Sequence, residues 1–248
     1  MTISNYSIKT DMEIKPFCIA LITDLHGKQH SQVIESLINR HPDFIAVAGD
    51  VVYGDDDSYP LAFFRSCSSI TQSFFSLGNH ERKITSEQIE RIEFTGVKVL
   101  DNIWIRKGQL VIGGMTSAFV TEWRETRKSI LHYAIPNYEW LSDFEMEPGF
   151  HILLDHHPEN YERITKERNI DLILSGHAHG GQIRIFNHGL FAPHQGFFPK
   201  YTSGVYDNRL VVSRGLANIK PIPRIGNPTE LVYITVTKNK ESSAISAS

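Results

Sequence analysis

Cysteine and long apolar runs are both scarce in this 248-residue chain. Cys18 and Cys67 are too few to build a framework of disulfides or a zinc site made of several thiolates. No run approaches the roughly 18 consecutive apolar residues that indicate a membrane-spanning helix. The chain also opens without the pattern of a signal peptide. These absences predict a protein with no integral membrane segment and a cytoplasmic location.

An excess of either charge is missing as well. Lysine and arginine together number 25 and aspartate and glutamate 28, which gives a formal net charge of −3. Such a balance does not favour binding to nucleic acid or to membrane surfaces through a general electrostatic field. Hydrophobic residues make up 41% of the chain and charged residues 21%, which excludes a disordered or collagen-like protein. An anionic ligand is therefore expected to be held locally.

Histidine, by contrast, is abundant, with 12 residues, and neutral imidazole is the commonest metal ligand in proteins. Short apolar runs alternate with amphipathic helical stretches, which predicts an α/β protein. The runs Phe17–Ile22 and Phe44–Ala48 are predicted strands, and residues 31–39 form a predicted helix between them. Thr85 and Gln88 have the spacing of a capping box at the start of another helix.

The rest of the chain shows no long linker. Residues 97–113 contain three short apolar runs separated by turn signals, which predicts a meander, and residues 159–167 form a predicted helix. Residues 1–237 are therefore expected to form a single domain. Residues 238–248 are rich in lysine, serine and alanine, a composition that predicts a disordered tail.

Five predicted strands each end in polar residues of the types that bind metal ions. The five endings are Asp24-Leu25-His26, Gly49-Asp50, Gly78-Asn79-His80-Glu81, Asp155-His156-His157 and Gly176-His177-Ala178-His179. Each motif alone also fits an ordinary turn, but all five together are hard to obtain by chance. In open α/β sheets the carboxyl ends of the strands meet at one crevice, where ligands bind. The mixture of carboxylate, imidazole and amide groups suits manganese, iron, zinc or another first-row ion. Seven or more ligands imply two ions.

In this order, the motifs D-x-H, G-D, G-N-H-E, a histidine before proline and G-H-x-H resemble the calcineurin-like metallophosphoesterases. The resemblance spans residues 20–180. The continuation to Gln182 and the later Ser213-Arg214-Gly215-Leu216 resemble the YkuE/YaeI-like branch of predicted phosphohydrolases. The resemblance implies a four-layer α/β/β/α sandwich, in which two mixed β-sheets are flanked by helices. It also implies two divalent transition-metal ions as cofactors.

The family pattern implies a ligand set for each ion. The ligands implied for one ion are Asp24, His26, Asp50 and His179, with Asp50 bridging. Those implied for the second ion are Asp50, Asn79, His156 and His177. The family's H-x-P spacing selects His156 rather than His157, which is then a helix-start or neighbouring residue. The resemblance further implies a metal-bridging hydroxide that attacks phosphorus in line, and His80 as the catalytic residue that protonates the leaving group or stabilises the phosphoryl group.

The substrate is expected to be a small phosphoester, held by residues near the last metal motif. Candidate contacts are Arg214 and His194; the alternatives are an ion pair with an acidic surface residue for Arg214 and a packing role under a long loop for His194. The Asp-Arg-Gly of protein phosphatases is missing after Gly49-Asp50, which disfavours a phosphoprotein substrate. Phosphodiesterase and phosphomonoesterase remain open, as does the oligomeric state. A catalytically silent metal-binding scaffold and a nuclease are the alternatives, and the lack of a basic stripe speaks against the nuclease.

Overall fold

The computed structural model of the chain describes residues 1–27, 31–52, 57–127, 135–186, 188–218 and 223–239. The predicted disorder of the tail concerns residues that lie almost wholly outside these ranges. In chain order the strands are β1 (Thr2–Thr10), β2 (Phe17–Ile22), β3 (Phe44–Ala48), β4 (Ser73–Ser76), β5 (Lys98–Leu100), β6 (Ile103–Lys107), β7 (Leu110–Met115), β8 (Phe150–Asp155), β9 (Leu172–Ser175), β10 (Arg184–Ile185), β11 (His188–Gly189), β12 (Phe191–Ala192), β13 (Gly196–Phe197), β14 (Gly204–Tyr206), β15 (Leu210–Val212) and β16 (Glu230–Lys238). The α-helices are α1 (Ser31–Arg40), α2 (Ser58–Ile70), α3 (Ser86–Glu93), α4 (Ala118–Thr126) and α5 (Leu141–Met146).

Two six-stranded mixed sheets hold most of these strands. The first has the order β1-β16-β2-β3-β4-β5, in which β2 to β5 run parallel and β16 runs antiparallel to β2. The second has the order β14-β15-β9-β8-β7-β6, with β15, β9, β8 and β7 parallel. The short hairpins β10–β11 and β12–β13 stand apart from both sheets.

Alternation of apolar side chains explains how the sheets stack. Along β2, Ile19 and Leu21 face the second sheet, whereas Ala20 and Ile22 face the helices, because successive side chains of a strand point to opposite faces. One hydrophobic cluster lies between the two sheets, a second lies between the first sheet and α1, α2 and α3, and a third packs α5 onto the second sheet. Three apolar layers between four layers of structure confirm the α/β/β/α sandwich.

The local predictions are confirmed in part. Thr85 and Gln88 form the expected capping box at α3: Thr85 Oγ1 accepts a hydrogen bond from the Gln88 amide, and Gln88 Oε1 accepts one from the Thr85 amide. The meander over residues 97–113 is wrong, because β5 pairs with β4 in the first sheet while β6 and β7 form a hairpin in the second. The helix predicted for residues 159–167 is only a π-helical turn at Tyr161–Thr165.

The helices are short. The longest helix that the structure describes, α2, has 13 residues. None of the helices in the described ranges has the length and apolar character of a membrane span.

Candidate metal centre

The five predicted motifs converge where strands of both sheets end. Asp24 and His26 follow β2, Asp50 follows β3, and His156 and His177 follow β8 and β9 of the second sheet. Backbone hydrogen bonds tie these loops together: the Asp24 amide donates to Gly49 O at 3.1 Å, and the His26 amide donates to Asp50 O at 3.0 Å. The parallel order of both sheets therefore brings the motifs to one crevice.

Within that crevice, ligand atoms cluster at metal-binding spacing. Groups whose ligand atoms lie within 4.8 Å of one another are Asp24 with His26 and His179, His26 with Asp50 and His80, and Asp50 with His156 and His177. His179 Nε2 lies 3.1 Å from Asp24 Oδ1, and His156 Nε2 lies 3.2 Å from Asp50 Oδ2. A fourth group joins His157, Glu159 and His177, so Asp50 belongs to two of the four groups.

The backbone of this site is held in an unusual conformation. Five of the seven predicted ligands have left-handed φ angles between 46° and 60°; they are Asp24, His26, Asp50, His177 and His179. This region is sparsely populated by residues other than glycine, and strain of this kind concentrates at functional sites. The surrounding fold must therefore hold these residues against their local preference.

Glycines allow the loops to approach each other closely. A Cβ at Gly49, whose φ is +82°, would lie 2.5 Å from His156 Nδ1, and a Cβ at Gly78 would lie 2.3 Å from Asp50 Oδ1. A side chain at either position would displace a predicted ligand. The glycines before Asp50 and Asn79 are thus required by the packing of the site as well as by the turn.

Several buried atoms of the cluster fit a cation. Among the described residues, Asn79 Oδ1, His156 Nε2 and His177 Nε2 are buried without a hydrogen-bond partner, which is costly unless something binds them. His156 Nδ1 lies 2.8 Å from Ala48 O and donates to it, so Nε2 is the ring nitrogen left to bind a cation beside Asp50. Carboxylate, imidazole and amide atoms are the ligands that first-row divalent ions accept, so the residues fit the metal ions that the motifs predict.

Electrostatic interactions also favour this role. Burial lowers the pKa of His26 to about 4, although the carboxylates of Asp50 and Asp24 oppose the shift. Burial, together with the neighbouring His157 and His156, holds the pKa of His177 well below its ordinary value. Both imidazoles are therefore neutral near pH 7, which is the form that binds a metal ion.

The carboxylates remain ionised despite their burial. Burial would raise the pKa of Asp24 and of Asp50, but the imidazoles of His179 and His156, respectively, hold each pKa below its ordinary value. Burial would likewise lower the pKa of His156, but Asp50 and Asp24 raise it to about 10. A cation bound between these groups would compete with that proton for His156 Nε2.

His80 differs from the other residues of the cluster in its exposure. Its side chain is 36% exposed, whereas the ion-pair partners Asp24, Asp50, His156 and His179 are at most 2% exposed. Its Nε2 lies 3.8 Å from Asp50 Oδ2, and its amide donates to Asp50 Oδ1 at 2.9 Å. The ring therefore lies beside the cluster and also reaches the solvent.

Glu81 follows Asn79 and His80 in the third motif, and nothing in the sequence indicated the contacts that it makes. Its buried carboxylate accepts four backbone hydrogen bonds, from the amides of Asp50, Val51, Val52 and Gly78 at 2.8–2.9 Å. Burial and the nearby Asp50 carboxylate raise the pKa of Glu81 to about 7, whereas the N–H groups favour its ionised form. Glu81 thereby joins the loop after β3 to the loop after β4.

The two candidate substrate contacts lie in different surroundings. His194 stacks on His177 with ring centroids 5.3 Å apart and an interplanar angle of 14°, so the structure brings it to the cluster. Arg214 forms an ion pair with the buried Glu230, with Nη2 3.0 Å from Oε1. The role of either residue in substrate binding stays a prediction.

Two further neighbours of the cluster are Arg224, which had no signal in the sequence, and His157, which was expected beside the ligands. Arg224 Nη2 lies 3.1 Å from His179 Nδ1 and donates to the carbonyl of Arg214 at 2.7 Å. His157 contacts Ser117 Oγ through Nε2 at 2.8 Å and Glu159 Oε1 through Nδ1 at 3.1 Å. Both nitrogens of His157 are thus engaged, which agrees with its expected place beside the ligands.

Comparison with known proteins gives a consistent result. A family model described as calcineurin-like phosphoesterase matches residues 18–181. The protein YpbG of Bacillus subtilis is 27% identical over 226 residues, which cover 89% of this chain and 81% of YpbG. The metallophosphoesterase Cj0846 of Campylobacter jejuni is 27% identical over 252 residues, covering 93% of this chain and 63% of Cj0846. The phosphodiesterase YaeI of Escherichia coli is 26% identical over 187 residues, covering 68% of this chain and 63% of YaeI. The chain thus spans less than two thirds of Cj0846 and of YaeI.

Proposed function

Because the chain belongs to the calcineurin-like phosphoesterases, and is thereby a metal-dependent phosphoester hydrolase, we propose that it uses two divalent transition-metal ions that share Asp50. The observation that carries this proposal is the presence of Asp50 in two ligand groups, one with His26 and His80 and one with His156 and His177. The ligands proposed for one ion are Asp24, His26, Asp50 and His179. Those proposed for the other are Asp50, Asn79, His156 and His177.

When bound, the ions supply a Lewis acid for the phosphoryl oxygens and lower the pKa of water toward neutrality. The protein then has to hold the ester beside the cluster and provide a proton for the leaving oxygen. We assign the proton to His80 Nε2, because His80 is the exposed imidazole next to Asp50. The Asp50 carboxylate fixes the His80 backbone through the 2.9 Å hydrogen bond and also lies beside its ring.

Phosphodiesters are the substrate class that we propose to test first. The support for this choice is the name of one relative, YaeI, which is called a phosphodiesterase. A monoesterase would need the same proton donor and the same ligands, so the residues of the cluster do not discriminate between the two. The assay must therefore include both ester types.

The test uses the full chain loaded with Mn²⁺, Fe²⁺ or Zn²⁺. Elemental analysis should find two ions per chain, and bis(p-nitrophenyl) phosphate should be hydrolysed faster than p-nitrophenyl phosphate. Asp50→Asn should retain fewer than one ion per chain, because the carboxylate charge between the two cations is lost. Asp143→Asn is the matched control, since Asp143 is an exposed residue of α5.

Three outcomes would contradict parts of this proposal. One ion or none in the loaded protein would overturn the dinuclear centre. Two ions without turnover of either ester would favour the silent scaffold. Near-normal metal content in Asp50→Asn would overturn the bridge.

We also propose that residues 1–237 form one domain. The support is the pairing of β1 with β16, which joins the beginning of the chain to its end over nine residue pairs. The cytoplasmic location stays a prediction.

A further inference from the structure

Large apolar side chains lie exposed on the segments that follow the last metal motif. We call these residues the phenylalanine face; they are Ile185, Phe186, Phe197, Phe198 and Ile225, and they are 55–92% exposed. The three phenylalanines alone expose on the order of 400 Å² of apolar surface. That is as large as the biggest apolar patches on typical monomeric proteins, which are often functional.

The segments that carry the phenylalanine face are neighbours in space. The Arg184 amide donates to Ile225 O, the Leu190 amide donates to Ile183 O, and the Phe198 amide donates to Leu190 O, all at 2.8–2.9 Å. Backbone hydrogen bonds therefore join the Ile225 segment, the β10–β11 hairpin and the β12–β13 hairpin side by side. The exposed residues therefore lie on three neighbouring segments rather than at scattered positions.

This surface is continuous with the proposed metal centre. The turn between β12 and β13 contains His194, whose ring stacks on His177. The Leu190 amide also donates to Gly181 O at 3.1 Å, and Gly181 ends the short helix that begins at His179. A molecule resting on the phenylalanine face would thus extend toward the ligands proposed for the ions.

The charge of this part of the chain is opposite to that of the whole. Residues 172–229 contain six lysines and arginines and one acidic residue, Asp207, so this segment carries +5 while the chain carries −3. Two of these cations pair with carboxylates outside the segment, Lys200 with Glu162 and Arg214 with Glu230, which reduces +5 to +3. The field around the segment nevertheless favours anions. The balanced total charge conceals this basic segment.

The exposed aromatic residues and the positive charge of residues 172–229 together fit an anionic lipid surface. Aromatic side chains at exposed hairpins can enter the boundary between headgroups and acyl chains, and nearby cations add attraction to acidic lipids. A second copy of the chain fits less well, because an isologous contact would bring two positively charged segments together. A small hydrophilic ester would contact none of the phenylalanine face.

We propose that the phenylalanine face docks on an anionic phospholipid bilayer and presents the phosphoester of a lipid to the metal centre. The lipid substrate rests on the phosphoesterase function proposed above, whereas the docking itself does not. The net charge of −3 predicted that the chain would not be attracted to membrane surfaces, because a net charge averages over the whole sequence and hides a positively charged segment.

The test measures binding of the metal-loaded full chain to vesicles by co-sedimentation. Vesicles of phosphatidylcholine with phosphatidylglycerol should bind the protein, vesicles of phosphatidylcholine alone should bind it at least several-fold more weakly, and added salt should reduce the difference. The double variant Phe186→Ser with Phe198→Ser should bind at least roughly tenfold more weakly, because two phenyl groups that would enter the bilayer are lost. Phe94→Ser is the matched control, since Phe94 is 90% exposed next to α3.

Hydrolysis is measured in parallel on bis(p-nitrophenyl) phosphate and on phosphatidylglycerol in the vesicles. The ratio of lipid to soluble-ester turnover should fall at least roughly tenfold in the double variant and stay unchanged in Phe94→Ser. Circular dichroism and thermal unfolding show whether each variant is folded.

Five results would overturn the inference, a part of it or the function on which it rests. Equal binding of wild type and double variant to the acidic vesicles, or equal loss in Phe94→Ser, would overturn docking by this face. Light scattering that shows a wild-type dimer, absent in the double variant, would assign the face to a second copy. Vesicle binding with hydrolysis of the soluble ester only would overturn the lipid substrate. Vesicle binding without hydrolysis of any ester would instead overturn the proposed phosphoesterase function.

Discussion

Replacing Glu81 with glutamine would exchange one carboxylate oxygen for an amide nitrogen where only hydrogen-bond donors face the side chain. Glu81 Oε2 accepts from the amides of Asp50 and Gly78, and Oε1 accepts from those of Val51 and Val52. In either orientation, the new NH₂ group would face two N–H groups. The volume of the side chain would hardly change.

The expected loss follows from the two donors left without an acceptor. Each buried, unsatisfied donor costs about 1–3 kcal/mol, so Glu81→Gln should lower the free energy of unfolding by roughly 2–6 kcal/mol. That is a large share of the 5–15 kcal/mol typical of a folded domain. The displaced amides belong to the Gly49-Asp50 and Gly78-Asn79 loops, so metal affinity should fall as well.

Denaturant unfolding of the metal-free protein measures the first effect, and titration with Mn²⁺ measures the second. The control is Glu87→Gln, whose side chain is 81% exposed and pairs with Arg91 one helical turn away. That pair contributes at most about 0.5 kcal/mol. If Glu81→Gln unfolds within about 1 kcal/mol of wild type and binds metal normally, the four hydrogen bonds do not hold the two loops together.

Three further predictions concern other parts of the molecule. His80→Ala should keep both ions but lower kcat by a factor on the order of 10²–10⁴ for alkyl esters. The loss should be smaller for nitrophenyl esters, because their leaving groups need no proton. His41→Ala is the control, and a uniform loss across leaving groups would contradict the role of His80 as proton donor. Gly49→Ala and Gly108→Ala both place alanine at a positive φ, but only at Gly49 would the new Cβ contact another residue. Gly49→Ala should therefore lower the free energy of unfolding by about 1–3 kcal/mol more than Gly108→Ala does, and it should weaken metal binding. Equal unfolding free energies would contradict the close approach of Gly49 to His156. Burial raises the pKa of both thiols, so iodoacetamide at pH 8 should label the half-buried Cys18 slowly and Cys67 only when the protein unfolds. Mass spectrometry measures the labelling of each cysteine. Equal labelling rates in the folded protein would contradict the burial of Cys67.

Local patterns alone were enough to identify several strands and the residues that follow them. Phe17–Ile22 and Phe44–Ala48 are apolar on both faces, because each strand lies between a helix layer and the other sheet. The metal motifs were visible for a related reason: loops at the carboxyl ends of parallel strands meet whatever their length. Where the pattern was short, it misled. Residues 97–113 read as one meander although β5 belongs to a different sheet, because three short apolar runs carry no information about which sheet they join.

Long-range packing decided the rest. Glu81 has four backbone partners, three of them about 30 residues away, and no periodicity predicts such hydrogen bonds. The stacking of His194 on His177 and the approach of Arg224 to His179 likewise depend on how hairpins fold back after the last motif. The phenylalanine face is a similar case. Its residues are apolar, and apolar residues are usually buried, so the sequence predicts burial for them. Only the tertiary structure shows that no described element covers these hairpins. Composition and spacing specify which groups a chain possesses, but the energy of burying or exposing each one is determined by neighbours that are distant in sequence.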